Sequence, residues 1–264
     1  MMKQQTAVIT GASHGIGLAI ARELSRRGWY VYGLCRHPGE DPPIHWLPCD
    51  ITDPASVEAA FQTIAARTPV LDVLINNAGM GISGAAEFAE DADVRHQLDV
   101  NYIGAWRCTR AALPLLRRGG RGRILFVSSL GALFPLPFQS FYSASKAAML
   151  TLSDCLRLEL APFGLESCAL LLNDVKTDFT ASRQKNHVGN DLYAGRIDAS
   201  VAKMEASEQA GLTPEAVADS LFRLLQRRRL PPLAVPGFSN KLLVLLGRLL
   251  PTRTMLWMLG KIYG

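Results

Sequence analysis

Residues 6–17 read TAVITGASHGIG, and the fold follows from how this stretch is understood. Thr6–Thr10 is a β-favouring apolar run without polar alternation, the pattern of a strand covered on both faces. Gly11, Gly15 and Gly17 follow at once. A helical pattern then runs from about Ile16 to Arg27 and meets Gly28, which stops it as a C′ glycine does. A strand passing through a glycine-rich turn into a helix has a physical use. Glycine lets the backbone turn tightly and come close to a bound group. The free N–H groups and positive dipole end of the helix attract an anion. Gly11, Ser13, His14, Gly15, Ile16 and Gly17 are therefore candidates for holding the pyrophosphate of a dinucleotide. The spacing is G-x-x-x-G-x-G, not the more common G-x-G-x-x-G.

Outward from this turn the pattern repeats. Apolar runs at 29–35, 44–49, 70–75, 122–128, 165–172 and 232–235 alternate with helical patterns at 54–66, 91–116, 141–161 and 214–228. This predicts an α/β fold of the Rossmann-type, doubly wound kind: a seven-stranded parallel sheet with helices on both faces. No internal repeat or low-complexity linker divides it. Residues 1–238 are expected to form a single nucleotide-binding catalytic domain. Within it, 176–211 is polar and without strong periodicity, which suits a substrate lid. Residues 239–264 form an apolar, basic, helical extension.

Composition narrows the classes. A chain of 264 residues, 48% of them hydrophobic, can bury one sizeable core. The net charge of +5 is mild, and no basic stripe interleaved with aromatics suggests nucleic acid. The densest basic cluster, Arg227-Arg228-Arg229, reads as a solvated helix end. Cysteines 35, 49, 108, 155 and 168 are dispersed without CxxC, which suits buried thiols in a reducing compartment. No metal-ligand spacing is present. The start, MMKQQ, lacks the apolar h-region of a signal peptide, and no run reaches the roughly 18 apolar residues of a spanning helix. A cytoplasmic protein is expected.

Four further features share an order with the glycine turn. NNAG occupies 76–79, Asn101 lies in LDVNYIG, Ser129 ends ILFVSS, and Tyr142 and Lys146 form Y-x-x-x-K thirteen residues beyond Ser129. From residue 6 to about 236, the chain resembles the short-chain dehydrogenase/reductase family. The resemblance implies a nicotinamide-dependent oxidoreductase with Asn101, Ser129, Tyr142 and Lys146 as its catalytic set. Asp50 and Ile51 are then placed on the adenine, Asn77, Ala78 and Gly79 on the adenosine ribose, and Val175 and Thr177 on the carboxamide and pyrophosphate. Tyr142 and Lys146 would also touch the nicotinamide ribose, and Asn101 would hold a water that links Lys146 to solvent.

The residues themselves support this chemistry. A ketone that accepts hydride needs a proton, and Tyr142 is the candidate acid. A phenol near pKa 10 works poorly at neutral pH, and a cation one helical turn away, Lys146, is expected to lower it. Ser129 would donate to the substrate oxygen. Taken singly, each has an ordinary alternative: a strand-end cap, a core aromatic, a solvated cation. Asn101 inside a helical pattern suggests a local kink. After the second strand the chain reads Gly33-Leu34-Cys35-Arg36-His37, with no carboxylate to bind ribose hydroxyls. Arg36 offers a planar cation to a 2′-phosphate, so NADP(H) is expected over NAD(H). His14 and Ser13 would reach the same phosphate or stand by. Asp50 could equally share helix capping with Asp53.

Two departures remain. Where the family usually shows Pro-Gly, this chain has Asn173-Asp174, and Asp174 would repel a pyrophosphate unless it turns away or pairs with Lys176. The tail continues 28 residues beyond Pro236 with leucines at helical spacing. It fits packing within the chain or a dimer, a peripheral contact with the inner face of a membrane, or a cover over a greasy substrate. The substrate is expected to be an apolar, acyl- or aryl-chain ketone or secondary alcohol, with Leu130, Leu133, Phe134, Leu136 and Phe138 lining its site. The expected assembly is a homodimer or homotetramer.

Overall fold

Seven parallel strands form one sheet in the computed structural model, which describes residues 4–41 and 43–263. Most of the MMKQQ start therefore lies outside the described residues, as do Pro42 and Gly264. In chain order the elements are β1 (Thr6–Thr10), α1 (Gly15–Arg26), β2 (Tyr30–Cys35), β3 (His45–Pro48), α2 (Pro54–Arg67), β4 (Val73–Asn76), β5 (Ile82–Ser83), α3 (Asp91–Leu98) and α4 (Gly104–Arg118). There follow β6 (Arg123–Ser129), α5 (Ser140–Glu159), β7 (Glu166–Leu172), α6 (Phe179–Ser182), β8 (Gln184–Lys185), α7 (Arg196–Gln209), α8 (Pro214–Leu225), β9 (Leu233–Ala234), α9 (Phe238–Leu249) and α10 (Thr252–Tyr263).

The sheet order is β3-β2-β1-β4-β6-β7-β9. Connections leave β1 toward one edge and β4 toward the other, so a crevice opens beyond the C-terminal ends of these two strands. Side chains along a strand alternate faces, and β1 feeds both cores: Ala7 and Ile9 pack beneath α1 and α8, Val8 beneath α2, α4 and α5. Ile20 and Leu24 of α1 meet Val217 and Leu221 of α8 in the first core. Phe61, Cys108, Leu116 and Leu156 close the second. Burying each such side chain contributes roughly 1.5–3 kcal/mol.

The predicted strands are all present, with shorter ends. β4 begins near Val73: the Leu71 N–H goes to Leu115 O of α4, and the bond from Asp72 N to Thr6 O of β1 opens the pairing. β9 keeps only two residues, as Pro231 and Pro232 bring no N–H donors. The 91–116 helical pattern is interrupted by a π-helical turn at Asp99–Ile103. The 176–211 segment departs most from its aperiodic reading. It holds α6, β8 and α7, and β8 pairs parallel with β5 through Ile82↔Gln184. One face of α7 (Ile197, Val201 and Met204) is buried at helical spacing while its other residues stay polar. The tail folds as two helices, α9 and α10, separated at Pro251. All five cysteines are free thiols, and Cys155 is exposed rather than buried. Among the described residues no helix is long and apolar enough to cross a membrane.

Candidate active site

The glycine turn is shaped by what a Cβ would strike. Gly11 takes φ +63°, and a Cβ there would lie 2.8 Å from Ala78 Cα. At Gly17 it would fall 2.1 Å from Gly11 O and 2.5 Å from Asn77 Nδ2. Gly17 thus lets α1 pack onto the turn and sits behind the cavity wall. Asn77 fastens the turn to β4: Nδ2 donates to Thr10 O (3.0 Å) and Gly11 O (3.1 Å). The amides of Asn77 and Ala78 both donate to Thr10 Oγ1, each at 3.0 Å. His14, the N-cap of α1, makes no side-chain cap bond, and no acidic residue occupies the first turn. A helix start that lacks both a side-chain acceptor and a carboxylate, under a turn no side chain can fill, fits a pyrophosphate.

Along the same wall, Arg36 is exposed at the end of β2 and has no ion-pair partner among the described residues. Ser13 Oγ lies 3.0 Å from His14 Nδ1 beside it in the lining. Asp50 accepts from the hydroxyl (2.7 Å) and amide (2.9 Å) of Thr52. The Thr52 hydroxyl holds its carboxyl below the ordinary range, helped by the charges of Arg36 and His96. The capping alternative falls to Asp53, which accepts from Ala55 N at 2.9 Å. Ile51 reaches the cavity between Asp50 and Thr52.

Beyond the glycine turn and Arg36, the cavity, about 960 Å³, continues to Ser129, Tyr142 and Lys146. Ser129 ends β6 and lines the cavity, and its Oγ accepts from Gly131 N (3.0 Å), which leaves the hydroxyl able to donate. Tyr142 and Lys146 lie one turn apart on α5. Lys146 is 5% exposed, with Nζ 3.0 Å from Val127 O and 5.8 Å from the centre of the Tyr142 ring. Burial pushes its amine down to about 8. Tyr142 does not have the lowered phenol that its spacing to Lys146 suggests. Burial pushes it up; the Ser129 hydroxyl opposes this, the Glu208 carboxylate adds to it, and Arg183 weakly opposes. Both groups are driven toward neutrality because neither has a close ionic partner.

Asn101 is fully buried on the π turn and does not reach the cavity. The wider turn swings its amide inward. There Oδ1 accepts from Met80 N (2.8 Å), while Nδ2 donates to Met80 O (2.9 Å) and Ser145 Oγ (2.9 Å). It ties the loop after β4 to α5. Gly79 fits between them, since a Cβ there would be 3.3 Å from both Asn101 Oδ1 and Lys146 Nζ. After β7, Val175 and Thr177 line the cavity, with the Thr177 methyl facing Gly15. Asp174 avoids the turn by accepting from Ser207 Oγ at 2.6 Å, not from Lys176.

The substrate side differs from the sequence reading. Phe134 and Leu136 line it. Leu130 and Leu133 instead pack with Val244 of α9, and Phe138 packs with Ala85 and Ile197. The short 3-10 turn after β6 redirects them, and Phe138 adopts φ +59°. In their place stand Gln139, Phe179, Met204 and Glu208. Glu208 is held by buried Arg183 and by the Thr180 hydroxyl (2.6 Å). The i, i+4, i+7, i+11 spacing of Ile197, Val201, Met204 and Glu208 was the available signal. The far arm is walled by Leu243, Leu246 and Leu250 of the α9 side and Met258, Leu259 and Ile262 of α10. Gly247 brings α9 against Phe134: a Cβ there would be 2.2 Å from the ring.

Comparison with known proteins gives the same answer as this arrangement. Residues 5–188 match the family model described as short chain dehydrogenase. A 3-ketodihydrosphingosine reductase of Bacteroides thetaiotaomicron is 37% identical over 233 residues, covering 87% of each chain. A short-chain dehydrogenase from Streptomyces avermitilis superposes with a TM-score of 0.84 at 27% identity, over 99% of this chain and 98% of that one. A 3-ketoacyl-(acyl-carrier-protein) reductase from Brucella melitensis, complexed with NADH, gives 0.75 at 25% identity, over 89% and 97%. Matched by the family model over most of its length and by a relative at 37% identity across 87% of each chain, this chain belongs to the short chain dehydrogenase family of oxidoreductases.

Proposed function

We propose that this protein is an NADP(H)-dependent carbonyl reductase for ketones that carry a long apolar chain. The observation that carries the reading is the continuity of one cavity, from the glycine turn past Ser129, Tyr142 and Lys146 into an arm walled by α9 and α10. The reduced nicotinamide supplies a hydride to the carbonyl carbon when bound. The chain's own groups do the rest. Ser129 donates a hydrogen bond to the carbonyl oxygen and fixes its position. Tyr142 gives its phenol proton to that oxygen as negative charge develops there, yielding a secondary alcohol. Lys146 contributes a positive field and a donor to the ribose hydroxyls, and Asn101 acts as a positioning residue through Met80 and Ser145. Arg36, with Ser13 and His14 nearby, receives a 2′-phosphate; the lack of a carboxylate at the end of β2 supports NADP(H) over NAD(H). Segment 176–211 is the lid on the substrate side. The name of the Bacteroides relative supports a long-chain amino ketone as the first substrate to try.

The test follows NADPH absorbance with 3-ketodihydrosphingosine and with a short-chain ketone. The long-chain ketone is expected to be turned over with the higher kcat/KM. Tyr142→Phe is expected to lower kcat by about 10²–10⁴ while NADPH still binds. No carbonyl turned over with either nucleotide, or a Tyr142→Phe protein as fast as the wild type, refutes the proposal.

A further inference from the structure

Helices α9 and α10 have two apolar sides, and only one is used by the cavity. On α9 the outward stripe is Phe238, Leu242, Leu245 and Leu249, spaced as one helical face. Leu249 is 74% exposed and Trp257, on the outward side of α10, is 64% exposed. Neither lines the cavity. A soluble face does not ordinarily carry so much contiguous apolar surface without a partner. The charges that these two helices carry have one sign. Lys241, Arg248, Arg253 and Lys261 are all exposed, and no Asp or Glu occurs between Gly237 and Tyr263. Arg253, Trp257 and Lys261 follow one another at four-residue steps, placing an indole between two cations on one face of α10.

From this we infer that the outward faces of α9 and α10 dock on the surface of an anionic lipid bilayer, their leucines and Trp257 in the acyl boundary and their cations at the headgroups. The occupant follows from charge complementarity. A second copy of the same segment would bring eight cations together without a carboxylate from either copy's α9 or α10, whereas an anionic headgroup layer neutralises them. Both helices also wall the cavity, through Leu243, Leu246 and Met258, so a bilayer on their outer side lies one helix thickness from the apolar arm. Docking stands on the residues of α9 and α10 alone. That the bilayer is also the source of a long-chain substrate rests on the carbonyl-reductase reading above.

Flotation of the full chain with phosphatidylcholine vesicles, with and without phosphatidylserine, tests the docking without any substrate. Binding is expected only to the anionic vesicles, and it should weaken as salt is raised. Lys241→Gln with Arg253→Gln is expected to lower the partition coefficient about thirtyfold, at one headgroup-proximal charge each. Leu249→Gln with Trp257→Gln should abolish flotation while activity on a soluble short-chain ketone stays at the wild-type level. Failure to float with either vesicle overturns the inference, as does equal binding to both. Loss of a dimer by the Leu249 and Trp257 variant, in a protein that never floats, overturns it in favour of self-association. Flotation by a protein that reduces no carbonyl would leave docking intact and remove the catalytic reading; turnover without flotation would do the reverse.

Discussion

Lys146 is a cation that the folded chain buries without a counter-charge, and replacing it with methionine should expose that cost. The amine is 5% exposed, donates to one carbonyl, Val127 O, and is held at about 8 against an ordinary 10.5. The unfolded chain keeps this proton up to about pH 10.5, whereas the cofactor-free folded chain releases it near 8. Below pH 8 both states are protonated and folding carries the full penalty, roughly 3 kcal/mol from the difference between the two pKa values. As pH rises from 8 to 10.5 the folded state binds fewer protons than the unfolded one, so stability rises with pH, and above 10.5 the penalty is gone. A methionine side chain has no proton to lose and fills a similar volume. Urea unfolding of the cofactor-free wild type and Lys146→Met, at intervals from pH 7 to 11, measures the difference. The variant should be the more stable at pH 7, and its advantage should shrink by roughly 3 kcal/mol by pH 10.5. Parallel pH profiles for the two proteins would refute the reasoning, since they would mean that the amine is solvated or paired in the folded state.

Arg36→Ala should raise the KM for NADPH by about ten- to a hundredfold, the loss of a charge-assisted contact to phosphate, and leave that for NADH nearly unmoved. Steady-state kinetics with both nucleotides decide this, and equal effects would remove the 2′-phosphate assignment. Gly247→Ala places a methyl where the Phe134 ring edge is 2.2 Å away, so the ring or α9 must shift and the cavity wall changes shape. Its kcat/KM for a long-chain ketone should drop about tenfold, with a short-chain ketone unaffected, and adding Phe134→Leu should recover much of the loss.

The sheet was legible because its parallel strands are covered on both faces, which leaves unbroken apolar runs such as Thr6–Thr10 and residues 165–172. The glycine turn was legible because its backbone admits nothing larger, and the Tyr142–Lys146 pair because four residues make one helical turn. Other parts depend on contacts far apart in sequence. The π turn that buries Asn101 adds one residue to a helix and leaves only an out-of-place asparagine as its mark. Helix α7 was hidden because a single narrow stripe of it is buried beneath a polar remainder. Leu130, Leu133 and Phe138 follow Ser129 closely in the chain, yet the turn after β6 aims them at α9 and Ile197, and distant Met204 and Glu208 take the places beside Tyr142. The leucine spacing of the tail disclosed a helix but could not say which side met the cavity.

The electrostatics of Tyr142 bear on the direction of the chemistry. A phenol pushed up by burial, with Glu208 adding to the push, keeps its proton throughout the neutral range. It is then a poor base for taking a proton from an alcohol and a ready acid toward anything more basic than itself. The oxygen of a ketone receiving hydride becomes an alkoxide, a far stronger base than phenolate, and Ser129 holds the place where that oxygen would sit. Lys146, still protonated below pH 8, already supplies a positive field where that negative charge forms. At neutral pH such a site holds a protonated acid beside a cation already in place, the pairing that proton donation to a forming alkoxide requires. The burial that raises Tyr142 comes in part from Phe179, whose ring lies 6.0 Å from its own, and thus from the segment after β7 where the chain departs from Pro-Gly.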